Sequence, residues 1–234
     1  MSKRKIVIGD VHGHYQALVQ LLEVVGLSSD DQVYFLGDLV DRGPDSASVV
    51  QLVIENDYAC IKGNHEQLLL ESLLFGDLYS QTFQGWLKSG GHNTLLSYNG
   101  KIPQDHLDWL ETLPIYLDLG DVFLVHAGLD PTLALEQQTQ KQCCWIRESF
   151  HRMSQPYFKD KLIIVGHTMT FNFPNVIAGE VIKGVGWLDI DTGAYHPKSG
   201  WLSALDISNE VLYQVHISGK NQKINPLEQM LVHL

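Results

Sequence analysis

The chain has 234 residues, 44% apolar and 18% charged, a balance that buries a core and excludes disorder, collagen-like repeats and coiled coil as its main content. Sixteen Lys and Arg stand against 27 Asp and Glu, a net charge of −11 that argues against a basic clamp on a nucleic-acid backbone. Three cysteines, Cys60, Cys143 and Cys144, make neither a CxxC pair nor an even framework, so they read as small apolar fillers in a reducing compartment, and eleven histidines are left as the unusual component.

The basic start is followed only by Ile6, Val7 and Ile8 before Gly9 and Asp10, well short of the roughly 7–15 apolar residues of a signal peptide. No run approaches the roughly 18 apolar residues of a membrane span, so a cytoplasmic protein away from membranes is expected. Short β-rich apolar runs at Lys5 to Ile8, Val33 to Leu36, Tyr58 to Ile61, Val122 to Val125 and Leu162 to Val165 read as buried strands. Between the early ones lie helical patterns at Tyr15 to Val25, Ser46 to Ile54 and His65 to Phe75, which gives an α/β alternation. The stretch from Thr82 to Thr112 reads as helix, a loop at Ser89, Gly90 and Gly91, then helix, with no strand signal. Later β runs at Gly186 to Ile190, Trp201 to Ile207 and Val211 to Ile217 suggest a second sheet. With no repeat or linker, one domain spanning 1–234 is expected, with a polar tail over about 218–234 left without a structural assignment.

The five buried runs end alike. They give way to Gly9-Asp10-Val11-His12-Gly13, to Gly37-Asp38-Leu39-Val40-Asp41-Arg42-Gly43, to Gly63-Asn64-His65-Glu66, to His126-Ala127-Gly128 and to Gly166-His167. In an open α/β sheet ligands bind outside the carboxyl ends of the strands, so these ends can gather metal-ligand side chains in one place. Asp10 and His12, two apart on an extended segment, project to one side and can grip one ion. Asp38 has two oxygens and can bridge to a second ion, whose other ligands would be Asn64, His126 and His167. Carboxylate, amide and imidazole without thiolate suit Mn, Fe or Zn, and two ions about 3.5–4 Å apart are the arrangement for in-line displacement at phosphorus. The expected nucleophile is a hydroxide bridging the metals. His65 is placed to protonate the leaving oxygen, with Asp41 orienting its ring, while Arg42 presents a planar fork to phosphate and Arg147 offers a second.

These residues resemble the metal-dependent phosphoprotein phosphatases within the calcineurin-like metallophosphoesterases, the small bacterial and bacteriophage lambda type above all. The resemblance runs from Ile6 to about Ala194 and includes GDVHG, GDLVDRG, GNHE, the His of HAG, WIR, GHT and the late Asp191-Thr192-Gly193-Ala194. It implies Asp10, His12 and Asp38 on a first divalent metal; Asp38, Asn64, His126 and His167 on a second; His65 as general acid paired with Asp41; and Arg42, Arg147, Asn64 and His65 around the phosphate. It also implies an α/β fold in which a β-sandwich of two mixed sheets is flanked by helices in four layers, α-β-β-α. Eukaryotic members usually carry Gly where Ala127 stands, and their longer C-terminal segments are absent, so their regulatory partners are not implied.

Other residues have plainer readings. His14 reads as a helix N-terminal residue and His92 as part of a polar loop; His106, His151, His196, His216 and His233 read as solvated. Asp191 reads either as support behind a metal ligand or as the turn after a strand, and Glu66 as a structural pairing with a neighbouring Arg. The expected activity is a phosphomonoesterase acting on phosphoserine and phosphothreonine in proteins or peptides, phosphotyrosine included as a further substrate, with Mn as the metal most readily used. The alternative is a dinucleoside polyphosphate hydrolase of the same fold. That branch commonly replaces the residue at Asp41 and carries Asp at the Glu66 position, so keeping both favours the protein phosphatase. A catalytically dead phosphate-binding scaffold would have lost a ligand or His65.

Overall fold

The computed structural model describes residues 3–74 and 79–234. In its first half the chain runs β1 (Lys5–Ile8), α1 (Tyr15–Val25), β2 (Gln32–Phe35), α2 (Ser46–Glu55), β3 (Ala59–Cys60), α3 (Asn64–Leu74), α4 (Gln81–Trp86), a π-turn (Leu87–Gly91), α5 (His92–Ser97) and α6 (Gln104–Thr112). There follow β4 (Tyr116–Asp118), β5 (Val122–Val125), α7 (Gln140–Trp145), α8 (Glu148–His151) and β6 (Leu162–Val165). The chain ends with β7 (Val181–Gly184), β8 (Trp187–Asp189), β9 (Trp201–Asp206), β10 (Val211–His216), β11 (Gln222–Pro226) and β12 (Leu231–His233).

Side-chain alternation along the strands sets the layers. In β1, Ile6 and Ile8 pack with Leu18 and Leu21 of α1 and Val49 and Val53 of α2, while Val7 turns the other way to meet Leu124, Ile164 and Leu188. In β5, Val122 and Leu124 join that central cluster, whereas Phe123 and Val125 face Cys143, Cys144 and Phe150 from the α7–α8 region. Each sheet thus has one face toward the other sheet and one toward helices, the four-layer arrangement that the resemblance implies. The three cysteines are buried, as the sequence suggests.

One sheet has the order β11-β10-β9-β1-β2-β3 and the other β12-β7-β8-β6-β5-β4. The late strands therefore do not form a sheet of their own: β9 pairs antiparallel with β1, and β8 pairs parallel with β6. The reason is visible in β9, which is apolar on both faces: Leu202 and Ala204 complete the helix-side core and Leu205 the inter-sheet core, so it fits beside β1 as an interior strand. The five strand ends singled out in the sequence likewise belong to two sheets, β1, β2 and β3 to the first and β5 and β6 to the second, and they converge at one rim of the sandwich.

Four short strands, β4, β7, β11 and β12, carry no pattern that the sequence reveals. The tail after Ser218 is built into the fold: β11 pairs with β10 in the first sheet and β12 with β7 in the second. The helix expected to end at Phe75 begins at Asn64, and Phe75 lies outside the described residues. Among those residues no helix is long and apolar enough to cross a membrane.

Candidate dinuclear metal centre

At the converging rim the side chains of Asp38, His12 and His65 bring their donor atoms within 4.8 Å of one another, and those of Asp38, His126 and His167 do the same. Asp38 belongs to both groups. Its Oδ2 lies 3.6 Å from His12 Nε2 and its Oδ1 3.5 Å from His126 Nε2. Asn64 Oδ1 completes the second group, 2.9 Å from His126 Nε2 and 2.8 Å from His167 Nδ1. Asp10 lies beside these groups, outside both; its carboxylate accepts from the His167 amide at 3.1 Å.

Hydrogen bonds fix which imidazole nitrogens point inward. His12 Nδ1 donates to Val40 O at 3.0 Å and His126 Nδ1 to Leu36 O at 2.7 Å, which leaves both Nε2 lone pairs facing the centre. His126 Nε2 then confronts Asn64 Oδ1 and Asp38 Oδ1, acceptor against acceptor, and buried His167 Nε2 has no hydrogen-bond partner among the described residues. Burial lowers the pKa of His12, His126 and His167, so they stay neutral, the form in which imidazole binds a metal. Burial works against the Asp38 carboxylate too, but His126, His65 and His12 outweigh it and hold its pKa well below the usual range. Behind it, burial and neighbouring carboxylates push Asp10 well up, and burial raises Asp191 to about 6. Neutral inward-facing donors and crowded buried acids are the chemistry that divalent cations satisfy, so these residues fit the metals.

Backbone conformation concentrates at the same place. His12, Asp38, Asp41, Arg42 and His167 all have positive φ, between 48° and 72°. Asp, Asn and His tolerate this region better than most residues, but Arg42 is an outlier, and such outliers cluster where function constrains the chain. Glu66 holds the turn. Among the described residues no Arg pairs with it; its carboxylate accepts from the amides of Leu39 at 2.7 Å, Asp38 at 2.8 Å, Gly63 at 2.9 Å and Val40 at 3.4 Å, and burial followed by Asp38 pushes its pKa up to about 7.

His65 Nδ1 meets Asp41 Oδ2 at 2.7 Å, and its Nε2 accepts from Arg42 Nη2 at 2.9 Å. Burial alone would lower the His65 pKa, yet Asp38 and the bonded Asp41 raise it above the ordinary imidazole value. Arg42 also reaches His12 Nε2 at 3.3 Å and lies 3.8 Å above the Tyr195 ring. Arg147 donates to Thr168 Oγ1 at 2.8 Å, next to His167.

Sequence reading missed Trp86, Thr94 and Tyr195. Trp86 Nε1 donates to both Asp41 oxygens, at 3.0 and 3.1 Å, and Thr94 Oγ1 donates to Asp41 Oδ1 at 2.6 Å. No motif links residues this far from Asp41 in the chain. Two histidines read as solvated are not. His106 is buried between Tyr98 Oη and Gln51 Oε1, each 2.8 Å away, and His151 packs against Phe173 and Trp187. Asp191 accepts from Gly193 N at 2.9 Å, as a turn residue does. His14 caps α1 without a side-chain bond, and His92 is exposed.

The family model of the calcineurin-like phosphoesterases matches residues 3–179. The symmetrical bis(5'-nucleosyl)-tetraphosphatase of Nitrosomonas europaea is 32% identical over 136 residues, which cover 56% of this chain and 46% of that protein. Serine/threonine-protein phosphatase 2 of Escherichia coli is 28% identical over 211 residues, 84% of this chain and 89% of that protein. The chain thus spans about half the length of the tetraphosphatases it matches and most of that phosphatase. A solved structure provisionally assigned as a diadenosine tetraphosphatase superposes with a TM-score of 0.70 at 21% identity, covering 92% of this chain and 94% of that one, a likeness of fold. With donor groups sharing one aspartate at the rim of a four-layer sandwich, and a family model matching about three quarters of the sequence, the chain belongs to the calcineurin-like phosphoesterases.

Proposed function

We propose that this phosphoesterase uses two divalent cations, Mn the most readily used and Fe or Zn alternatives, to split the polyphosphate bridge of dinucleoside polyphosphates. The observation that carries a two-metal reading is Asp38, one carboxylate whose two oxygens serve two separate donor groups. Asp10, His12 and Asp38 would hold one ion, and Asp38, Asn64, His126 and His167 the other. Bound there, such ions supply Lewis acidity toward phosphate and lower the pKa of water to near neutrality. Arg42 and Arg147, on either side of the donor groups, bind the phosphate oxygens, and Asn64 and His65 line the same position. His65 carries the proton for the leaving oxygen on Nε2, with Asp41 fixing the ring through Nδ1. Arg42 Nη2, which now donates to His65 Nε2 at 2.9 Å, must then exchange that acceptor for a phosphate oxygen.

The substrate reading is supported by the tetraphosphatase relatives and by Trp145. This side chain is 39% exposed and stands edge-on to His167 two residues from Arg147, an aromatic surface next to a guanidinium that suits a nucleotide's base and phosphate together. A second reading, hydrolysis of phosphoserine and phosphothreonine in proteins, is favoured by the nearly full-length match to the Escherichia coli protein phosphatase and by the presence of both Asp41 and Glu66. The test is a panel on the Mn-loaded enzyme at matched concentrations: diadenosine tetraphosphate, phosphoserine and phosphothreonine peptides, phosphotyrosine and a phosphodiester. The first reading expects the highest kcat/KM for diadenosine tetraphosphate with ADP as the product; a phosphopeptide preference overturns it in favour of the second.

A further inference from the structure

We propose that the segment from Trp86 to Thr94 is a brace that positions two separate parts of the site, the Asp41–His65 pair and Arg42. The inference rests on the reading of His65 as proton donor. In the sequence this segment is only the link between two helices. In the fold it covers the left-handed Asp41–Arg42 step and binds both residues from outside the motifs.

Among the described residues, the brace supplies every side-chain donor to the Asp41 carboxylate other than His65 itself. Trp86 Nε1 spans both carboxylate oxygens, and Thr94 Oγ1 donates to Oδ1 while accepting from the Asp41 amide at 2.9 Å. Asp41 and Trp86 are fully buried, so no water replaces a lost donor at no cost. With three donors on two oxygens, the carboxylate plane is fixed, and with it the direction in which Asp41 Oδ2 holds the His65 ring.

On Arg42 the brace works through the backbone. The Arg42 amide donates to Gly90 O at 3.2 Å, and Asn93 Nδ2 donates to Arg42 O, so both polar groups of a strained residue end on this segment. Two glycines make the approach possible. A Cβ on Gly90, whose φ is +116°, would come within 2.7 Å of Arg42 N and Cγ, and one on Gly91 would strike the Trp86 indole. These contacts coincide with a kink between α4 and α5 at Gly90, whose backbone is not helical.

A merely structural segment would lower activity on all substrates alike, whereas the brace predicts two different signatures. Trp86→Phe, Thr94→Val, Asn93→Ala and His65→Asn are compared in the Mn-loaded full chain, with kcat and KM measured on p-nitrophenyl phosphate and on phenyl phosphate, whose leaving group needs the proton more. His65→Asn should lose far more kcat on phenyl phosphate. Trp86→Phe and Thr94→Val should show the same selective loss, at least about tenfold and no larger than that of His65→Asn, with KM kept. Asn93→Ala should raise KM on both substrates alike. Thr94→Val conserves volume and so answers the question even where Trp86→Phe fails to fold. If His65→Asn is selective while the folded brace variants lose equally on both substrates, the brace is wrong. If His65→Asn is itself unselective, the proton-donor reading fails and the brace with it.

Discussion

Gly63 sits against the carboxylate that both donor groups share, which makes Gly63→Ala a sharp test of how the centre is built. Its φ is not left-handed, so alanine meets no backbone penalty there and the perturbation is one methyl group. That methyl would lie 2.5 Å from Asp38 N and 2.8 Å from Glu66 Oε2, and closer still to Asp38 Oδ1. Ordinary carbon contacts begin near 3.5 Å, so Asp38 has to retreat by about 1 Å. Metal–ligand distances tolerate about ±0.2 Å, and a shift of that size removes Asp38 from both groups at once. Overpacking of this kind costs about 1–3 kcal/mol, and at about 2–4 °C per kcal/mol for a chain of this size the metal-free variant should melt about 2–12 °C lower. The assay pairs thermal unfolding of the metal-free protein with calorimetric titration of Mn. Gly85→Ala is the control, since no atom of the described residues lies within 4 Å of a methyl on this exposed helical glycine; it should be neutral or gain up to about 1 kcal/mol. Wild-type Mn affinity in Gly63→Ala would refute the idea that the backbone beside Asp38 sets the geometry of both metal sites.

Three further outcomes follow. Asp38→Asn should weaken both metal sites together, and elemental analysis showing two ions retained per chain would contradict a shared ligand. Treatment with a chelator should abolish hydrolysis of p-nitrophenyl phosphate and added Mn should restore it; activity that survives chelation removes the metals from the reaction. His151 probes pH dependence far from the metals. Burial lowers its pKa to about 4, so its contribution to stability is complete above the unfolded value of about 6.5 and is lost as pH falls toward 4. His151→Phe, in a pocket lined by Phe173 and Trp187, should therefore lose about 2 kcal/mol less than wild type between pH 7.5 and pH 5 in urea unfolding. Equal losses would place His151 in water.

The strand ends were legible because each joins a glycine to a side chain with metal chemistry, and five such joints in one sequence converge on a single kind of site. Helices α1 and α2 were legible through their spacing of apolar residues. Sheet membership was not, because β9 is apolar on both faces and would suit either sheet's interior; only its pairing with β1 decides. Glu66 illustrates another limit. Its partners are backbone amides, which every residue type but proline offers, so nothing in the sequence around it announces the role. Trp86 is harder still: an indole within a helical pattern reads as core, and it is core, but its one polar atom meets a carboxylate 45 positions away.

Gly63 and Glu66 together explain how a strained rim is held in place. Left-handed backbone at His12, Asp38, Asp41, Arg42 and His167 costs on the order of 1 kcal/mol or more at each non-glycine residue, and chain entropy would relax it unless other bonds specify it. The turn from Asp38 to Val40 is specified by three amides ending on Glu66, and Gly63, whose amide is the fourth, ties the start of α3 to the same carboxylate. Asp38 O in turn accepts from the amides of Val11 at 3.1 Å and His12 at 2.8 Å, so the first motif is hung from the second and the third is pinned to it. Three strand ends are thereby fixed relative to one another by backbone amides ending on Asp38 O and on the Glu66 carboxylate. The ligands borne by these three motifs are thus positioned by the protein's own hydrogen bonds. A cation then has mainly to relieve the acceptor-to-acceptor contacts at Asp38, Asn64 and His126, and most of its binding energy goes into affinity instead of folding the loops around it.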